Sequence, residues 1–293
     1  IRLMRGRVAS HCRPPSCKAV GAEGGQRAVR KTMMTTTFAD LGLSDTILKA
    51  LEKTQLKMPS PIQVQAIPHI MAGKDLMGLA QTGTGKTAAF GLPLLHRILD
   101  LGHPPAPKTV RALILAPTRE LVSQIADNLE VFTKGTSVKV AMVVGGASLF
   151  KQAERLKRGA DILVATPGRL IDLLERGDVS LHATGYLVLD EADRMLDMGF
   201  FDVMTEIIMQ TPKNRQTLMF SATYPEAIKK LCRSIQRNPV TVTVEAEHKP
   251  GVIGQIFYEV KKHERNNTLL ALFEHYKPET TLVFCHTKKQ CDE

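Results

Sequence analysis

The sequence predicts an α/β fold in which a mostly parallel sheet is covered by helices on both faces. Short apolar runs rich in β-branched residues recur along the chain, each bounded by turn residues. They are apolar throughout, which is typical of strands buried on both faces. Helical patterns lie between them, which favours an open, doubly wound sheet. The runs are LMGLA (76–80), ALILAPT (112–118), VKVAMVVGG (138–146), DILVATP (161–167), YLVLDEAD (186–193), TLMFSAT (217–223) and VTVTV (240–244).

Three of the helical patterns have readable ends. Ser44 precedes DTILKALEKTQ and is a residue type that caps helix N-termini. The pattern RELVSQIADNLEVFTKG stops at Gly135, and SLFKQAERLKRG stops at Gly159. Glycine commonly follows the last helical turn because it adopts the left-handed conformation without strain. We therefore expect helices to end at both glycines.

Length and composition predict two domains. A chain of 293 residues fits about two domains at roughly 150 residues each. We expect the first domain at 37–245 and a Pro- and Gly-containing linker at 246–252. Residues 253–293 contain QIFYEVK, NNTLLALFEHYK and TLVFC, a strand, a helix and a strand. Because cores of about 40 residues are rarely stable alone, we expect this unit to be the poorly ordered opening of a second domain.

The basic charge is concentrated in residues 1–36. This leader has eight Lys and Arg side chains and only Glu23 as an acid, so it carries +7 of the net +10 and leaves +3 for the rest. The net charge of the whole chain is therefore only weak evidence that the folded part binds nucleic acid. Three interpretations of the leader remain open: a non-native or disordered tail, a basic arm that touches RNA, and an organelle transit peptide.

Two classes of protein are disfavoured by composition. No apolar run approaches the ~20 residues needed to span a bilayer. The cysteines match no zinc or thioredoxin spacing, and a disulfide framework is unusual in a chain of this size. They are Cys12, Cys17, Cys232, Cys285 and Cys291. We therefore predict a cytoplasmic protein.

The segment AQTGTGKT (80–87) has the features of a phosphate-binding loop. It follows a predicted strand and opens a predicted helix. Glycines let backbone N–H groups surround phosphates, Lys86 can reach the β- and γ-phosphates, and the Thr87 hydroxyl can hold Mg²⁺. Ala80 stands where the strict pattern has glycine. The strand before and the helix after make a chance glycine-rich turn the weaker interpretation.

The segment YLVLDEAD (186–193) places carboxylates at the end of an apolar strand. Ligands of open α/β sheets bind at that edge. Asp190 would hold Mg²⁺ and Glu191 could orient and deprotonate the attacking water. An acidic strand end alone is more often a solvated turn or a helix cap, but a phosphate loop upstream favours the catalytic interpretation. The guanine motif of GTPases and the signature of transporter ATPases are both absent from the sequence.

Together the motifs resemble those of DEAD-box RNA helicases. Asp190-Glu191-Ala192-Asp193 matches the motif that names the family, and the family's other motifs stand around it in order. The resemblance covers about residues 38–293 and implies a RecA-like domain followed by a truncated second one. The other motifs are PSPIQ (59–63), PTREL (117–121), GG (145–146), TPGR (166–169) and SAT (221–223), with Phe38 at the position of an adenine-stacking aromatic.

The resemblance assigns roles to these residues. Gln63 would read adenine with its amide, and Ser221 and Thr223 would couple ATP hydrolysis to strand separation by hydrogen bonding Asp193. Catalysis is implied for Lys86, Asp190, Glu191, Asp193, Ser221 and Thr223, with Mg²⁺ on Thr87 and Asp190. ATP binding is implied for Phe38, Gln63, Ala80, Gln81, Thr82, Gly83, Thr84, Gly85, Lys86 and Thr87. RNA-backbone binding is implied for Pro117, Thr118, Arg119, Gly145, Gly146, Thr166, Pro167, Gly168 and Arg169.

Departures from the family pattern are few. The Gly-aromatic pair usual before PSPIQ is Gln55-Leu56, and Val122 replaces a small residue after PTREL. The family's later motifs, which supply arginines to the γ-phosphate, do not occur in these 293 residues, so we expect little ATP hydrolysis from this chain alone. The sequence after the linker looks most like that of bacterial members of the family that act on ribosomal RNA, and this resemblance implies ribonucleoprotein partners. An RNA clamp and a DNA translocase remain as alternatives.

Overall fold

The structure, a computed structural model, describes residues 36–54, 56–244, 256–285 and 287–292. The predicted leader, apart from Thr36, and the predicted linker lie outside these ranges. The chain divides into two compact units: among the described residues, 36–54 and 56–244 form the larger unit, and 256–285 and 287–292 belong to the smaller one. Each unit is described by itself.

The larger unit is built on a seven-stranded sheet in which every pair of neighbours is parallel. The strand order is β3-β4-β2-β5-β6-β1-β7. Each of the seven predicted runs forms one strand, so the predicted α/β, RecA-like fold is confirmed. The strands are β1 (Leu76–Leu79), β2 (Val110–Leu115), β3 (Val140–Val143), β4 (Ala160–Ala165), β5 (Tyr186–Leu189), β6 (Gln216–Ser221) and β7 (Val240–Thr243).

Helices cover both faces of the sheet, and each face has its own apolar core. In β2, Ile114 points into one cluster, whereas its neighbours Leu113 and Leu115 point into the other. The first cluster receives apolar residues of α1 (Asp45–Glu52), α2 (Pro61–Met71), α3 (Lys86–Asp100) and α4 (Arg119–Thr133). The second receives those of α5 (Leu149–Leu156), α6 (Pro167–Glu175), α7 (Ala192–Asp197), α8 (Phe201–Met209) and α9 (Glu226–Ile235).

The predicted helix ends are only partly right. Both glycines lie just beyond their helices in the left-handed conformation, Gly135 at φ +86° and Gly159 at φ +75°. A Cβ on Gly159 would lie 2.3 Å from the Ala106 carbonyl oxygen, so no larger residue fits there. Ser44 does precede α1, but its side chain makes no capping hydrogen bond. Instead, its backbone N–H donates to His96 Nδ1 at 3.1 Å, which ties the start of α1 to α3.

A buried ion pair joins the amino-terminal parts of β2 and β4. Arg111 Nη1 lies 2.7 Å from Asp161 Oδ1, and the two side chains are 9% and 5% exposed. The other carboxylate oxygen of Asp161 accepts from the Lys139 N–H at 2.9 Å, just before β3. One carboxylate therefore fixes three neighbouring strands at the edge opposite the motifs.

The smaller unit has less regular structure. A 3₁₀ turn at Lys262–Glu264 leads into α10 (Arg265–Tyr276), and α11 spans Lys288–Asp292. The helix predicted at NNTLLALFEHYK is confirmed, but the strands predicted in QIFYEVK and TLVFC do not form at 256–261 or 281–285. A strand needs a hydrogen-bonded neighbour, and no pairing occurs in the described part of this unit. Their apolar residues are exposed, Phe284 by 88%. Across the described ranges, no helix combines the length and apolar content to cross a bilayer.

Candidate functional site

Six of the predicted motifs lie at one edge of the sheet because each of them follows the carboxyl end of a strand, whereas PSPIQ lies before β1 at the start of α2. Strand order sorts them into two adjacent groups. Neighbours β5, β6 and β1 lead into the DEAD segment, the SAT segment and the phosphate loop. Neighbours β3, β4 and β2 lead into GG, TPGR and PTREL. The fold thus places the predicted ATP residues beside the predicted RNA residues along one edge.

The phosphate loop joins β1 to α3 and is held by the segment PSPIQ. Gly85 has φ +91° and directly precedes α3. Gln63 Nε2 donates to the Gly85 carbonyl at 3.0 Å, and Ser60 Oγ donates to the Thr84 carbonyl at 2.8 Å. A Cβ on Gly85 would lie 2.5 Å from Gln63 Nε2. Only glycine fits both the backbone conformation and this close approach.

Lys86 and Asp190 form a buried charge pair beneath the loop. Lys86 Nζ lies 3.4 Å from Asp190 Oδ1, with side chains 7% and 3% exposed. Within the described residues, Lys86 Nζ has no hydrogen-bond partner. Burial raises the pKa of Asp190, and the neighbouring Glu191 charge raises it further, against the opposing effect of Lys86. The Lys86 ammonium therefore lies beside the Asp190 carboxylate and keeps N–H donors that a ligand can use.

Glu191 is held in an unusual backbone conformation by two side chains. Its φ of +51° and ψ of +51° lie in the left-handed region, which non-glycine residues seldom adopt. The Thr82 hydroxyl of the phosphate loop donates to Oε1 at 2.9 Å. Arg194 Nη1 donates to Oε2 at 3.2 Å from the first turns of α7. A left-handed backbone at a non-glycine residue is typical of functional sites, and the hydrogen bond from Thr82 fixes this carboxylate to the phosphate loop.

Asp193 is hydrogen-bonded to the SAT segment, as the sequence predicted. The Thr223 N–H and hydroxyl donate to Asp193 Oδ2 at 2.9 and 2.8 Å. The Ser221 hydroxyl accepts from the Asp193 N–H at 3.3 Å. Burial alone would raise the pKa of Asp193, but the hydrogen bonds with Thr223 and Ser221 outweigh it and lower that pKa. The ends of β5 and β6 are thereby joined through an ionised carboxylate.

The two residues predicted to bind adenine are both buried. Gln63 is 1% exposed, and its Oε1 accepts from the Ser60 N–H at 2.9 Å, so both ends of its amide are engaged. Phe38 is 5% exposed and packs in the first apolar cluster with Leu41 and Ile62. Neither arrangement tests adenine binding, which stays a prediction.

The second group of motifs forms a surface that we call the candidate RNA surface. Arg119 opens α4 and lies so close to Gly146 that a Cβ there would be 2.5 Å from its Nη1. Arg169 Nη1 donates to the Ala147 carbonyl at 2.8 Å. Two arginines therefore flank the Gly-Gly turn. The surface comprises Thr118, Arg119, Gly145, Gly146, Gly168 and Arg169, and Thr166, also predicted to bind RNA, is buried at 8% exposure. Pro117 and Pro167 are buried behind it.

Two side chains near the phosphate loop and the DEAD segment were not predicted from the sequence. Ser60 supports the phosphate loop, and its spacing to Gln63 is the Ser-x-x-Gln pattern of a capping box, which could have been recognised. Arg194 has no such signal. An arginine next to an acidic segment is usually solvated, and its side chain is 64% exposed even while it contacts Glu191.

The residues fit a magnesium-bound nucleotide better than a metal held by protein alone. No cluster of three or more His, Cys, Asp or Glu side chains that could hold a metal occurs in the described ranges. Mg²⁺ usually binds one or two carboxylates together with substrate phosphates and water. The buried carboxylate of Asp190, beside the Lys86 ammonium with its unused hydrogen-bonding capacity, matches that pattern.

Comparisons with known proteins agree with these motifs. The family model described as DEAD/DEAH box helicase matches residues 60–231. The DEAD-box ATP-dependent RNA helicase CshA of Streptococcus pneumoniae is 45% identical over 257 residues, covering 87% of this chain and 48% of the relative. RhpA of Helicobacter pylori, with the same description, is 41% identical over 258 residues, covering 88% and 51%. CshA of Limosilactobacillus reuteri is 42% identical over 257 residues, covering 87% and 51%. The chain spans about half the length of the curated relatives it matches.

Proposed function

The chain belongs to the DEAD/DEAH box helicase family, and from this premise we propose that it comes from an ATP-dependent RNA helicase. The relatives reported above are named as ATP-dependent RNA helicases. The observation that carries the proposal is the buried pair of Lys86 and Asp190. The Lys86 ammonium has no hydrogen-bond partner in the described part of the chain and lies 3.4 Å from a buried carboxylate, which suits a phosphate chain and its divalent cation.

The proposed ATP site consists of the phosphate loop together with residues that recognise adenine and hold Mg²⁺. Backbone N–H groups between Ala80 and Thr87 surround the phosphates, and Lys86 neutralises charge on the β- and γ-phosphates. Gln63 and Phe38 are proposed to recognise adenine. Asp190 and the Thr87 hydroxyl would hold Mg²⁺, which when bound neutralises phosphate charge during transfer.

Glu191 is proposed to act on the water that attacks the γ-phosphate. Its carboxylate can orient the water and accept a proton from it. In the structure, both carboxylate oxygens already accept hydrogen bonds, from Thr82 and Arg194. These partners hold Glu191 at the loop where the phosphates would bind.

The candidate RNA surface is proposed to bind the RNA backbone. Arg119 and Arg169 are long, charged donors, and the Gly-Gly turn exposes backbone between them. Such contacts recognise phosphate and sugar and carry little base information. Asp193, Ser221 and Thr223 are proposed to couple hydrolysis to strand separation, since their hydrogen bonds tie the ends of β5 and β6.

The activity is proposed for a protein with two RecA-like domains that close on ATP and RNA. We expect this 293-residue chain alone to hydrolyse ATP far more slowly, since arginines supplied to the γ-phosphate contribute about 10³–10⁵ in rate in related P-loop enzymes. A cytoplasmic setting is proposed from the cysteine content. Ribosomal RNA or ribonucleoprotein partners are proposed because the sequence after the linker looks most like bacterial members that act on ribosomal RNA.

Strand displacement by the complete protein tests the proposal. Matched RNA and DNA duplexes would be assayed with ATP and with a non-hydrolysable analogue, and Glu191→Gln would be the control. We expect displacement of RNA with ATP only, and none from the variant. RNA binding without strand displacement in the presence of ATP would favour an RNA clamp that does not unwind, and equal displacement of the DNA duplex would favour a DNA translocase. Either result would overturn the proposed function.

A further inference from the structure

One aromatic residue departs from the pattern of its helix. The inward side of α5 carries Gln152, Ala153 and Leu156, all of which are buried. The outward side is charged, with Lys151, Glu154 and Arg155 exposed, except for one position. That position is Phe150, which is 69% exposed.

Phe150 lies beside the candidate RNA surface. It is in the first turn of α5, four residues after Gly146 in the Gly-Gly turn. Arg119 approaches Gly146, and Arg169 donates to the Ala147 carbonyl at 2.8 Å. The exposed ring is therefore three residues after Ala147, in the segment that both arginines approach, and in the amino-terminal, partially positive turn of a helix.

Near the amino-terminal end of α5, the acidic side chains of Glu154 and Asp172 are paired with cationic side chains. The positive partial charge of this helix end therefore stays available to an anion. Glu154 forms an ion pair with Lys157. Asp172 lies 3.5 Å from Arg169 Nε, and Arg169 Nη1 donates to the Ala147 carbonyl, so this guanidinium, whose side chain is 15% exposed, balances the charge of Asp172. Lys151, the next residue after Phe150, has an exposed side chain and adds a positive charge.

An isolated exposed apolar residue needs no special explanation on most surfaces. Here its setting distinguishes it. Surfaces that bind single-stranded nucleic acid combine positive charge along the backbone with aromatic rings on which bases stack. Phe150 supplies a ring where the arginines supply the charge.

We propose that Phe150 stacks on a base of single-stranded RNA whose backbone lies on the candidate RNA surface. The inference rests on the proposed function and adds a contact to a base, where the other residues of the surface contact the backbone. Because every base has a flat face, the contact would increase affinity with little preference for sequence.

The chain contains no tryptophan, so the Phe150→Trp variant would carry a single tryptophan as a direct reporter. A single-stranded RNA oligomer and an abasic backbone of equal length would be titrated in turn, with fluorescence excited at a wavelength selective for tryptophan. Binding of each oligomer would be followed separately by the anisotropy of an end label. Met209→Trp is the matched control, since Met209 is 80% exposed and ends α8, just before the chain enters β6 at the opposite edge of the sheet.

We expect the intact RNA to quench the tryptophan fluorescence of the Phe150→Trp variant and the abasic backbone to bind with little quenching. The fluorescence of the Met209→Trp variant should respond to neither. Phe150→Ala should weaken binding of intact RNA by about 5- to 100-fold and leave binding of the abasic backbone unchanged. Phe150→Leu, which keeps apolar surface without a ring, should resemble Phe150→Ala.

Three results would overturn the inference. In the first, both oligomers bind and quench the fluorescence of the Phe150→Trp variant equally, or Phe150→Ala binds intact RNA as well as the parent chain does. Either finding would exclude the stacking contact and leave the proposed RNA surface intact. If Phe150→Leu retains full affinity, the ring itself is not used. If neither oligomer binds, the RNA surface of the proposed function fails, and the inference fails with it.

Discussion

The Thr82 hydroxyl donates a 2.9 Å hydrogen bond to Glu191 Oε1 across 109 residues of sequence. It joins the loop after β1 to the segment after β5, which are separated in the sheet by β6. The proposed water-orienting carboxylate is thus fixed to the phosphate loop before any nucleotide binds. The same carboxylate has a second partner in Arg194 at 3.2 Å.

Thr82→Val should lower the free energy of unfolding by about 1 kcal/mol, because it removes a hydrogen bond from the exposed Thr82 side chain to the buried Glu191 carboxylate. Thr82→Ser keeps the hydroxyl and should remain close to the parent chain. Urea unfolding of Thr82→Val, Glu191→Ala and the double variant would give the coupling between the two residues. Strict additivity of the two single effects would contradict this contact.

Gln63→Ala should destabilise the chain even without nucleotide. It leaves the Ser60 N–H and the Gly85 carbonyl without their partner, at a cost of about 2 kcal/mol. Gln65, on the same helix but exposed, offers a matched control, and Gln65→Ala should change stability by less than about 0.5 kcal/mol. Equal unfolding midpoints for the two variants would show that the Gln63 amide is not engaged in the free protein.

Thr223→Val should have an effect that depends on pH. The Asp193 pKa lies below its ordinary value of 3.8, so the ionised form is favoured in the folded state. That stabilisation is present above pH 3.8 and is lost as the pH falls through the lowered pKa.

Urea unfolding between pH 7 and pH 3 would measure this dependence. Thr223→Val should be less stable than the parent chain by about 1 kcal/mol at pH 7, and the difference should shrink below pH 3.8. Thr205→Val is the control, because the Thr205 hydroxyl donates to the Phe201 carbonyl, which does not titrate. A difference that stays constant, or grows as the pH falls, would refute the role assigned to Thr223.

Asp161→Ala should be among the more damaging changes far from the motifs. It leaves Arg111 buried without its partner, which costs about 3–5 kcal/mol. Glu154→Ala removes the partner of Lys157 from an exposed pair and should cost less than about 1 kcal/mol. Thermal and urea unfolding of both variants would make the comparison. Similar losses would mean that the Arg111–Asp161 pair does not hold the strands.

Much of the larger unit could be predicted from the sequence because its signals are local. Strands such as β2 are apolar along nearly their whole length, and a parallel sheet buried on both faces requires that pattern. Motifs placed directly after strands must then meet at one edge. The ordered set of motifs identified the family before the geometry was known.

Other features depend on tertiary contacts that sequence spacing does not show. The Thr82–Glu191 bond joins distant segments, and Arg194 looks like an ordinary surface residue. Ser44 has the sequence of a cap but uses its backbone to bind His96 instead. The strands predicted after the linker do not form in the described residues, because an apolar run indicates a strand but cannot supply its hydrogen-bonded neighbour.

Nucleotide binding to this chain tests the central claim most directly. Calorimetric titration with ATP would be performed with and without Mg²⁺, then with GTP, and again with Lys86→Met, which keeps the length of the side chain but removes its charge. We predict that ATP binds, that Mg²⁺ strengthens binding, that GTP binds more weakly, and that Lys86→Met loses most of the affinity. Undiminished binding of ATP by Lys86→Met, or no binding of ATP by the parent chain, would contradict the account of this site.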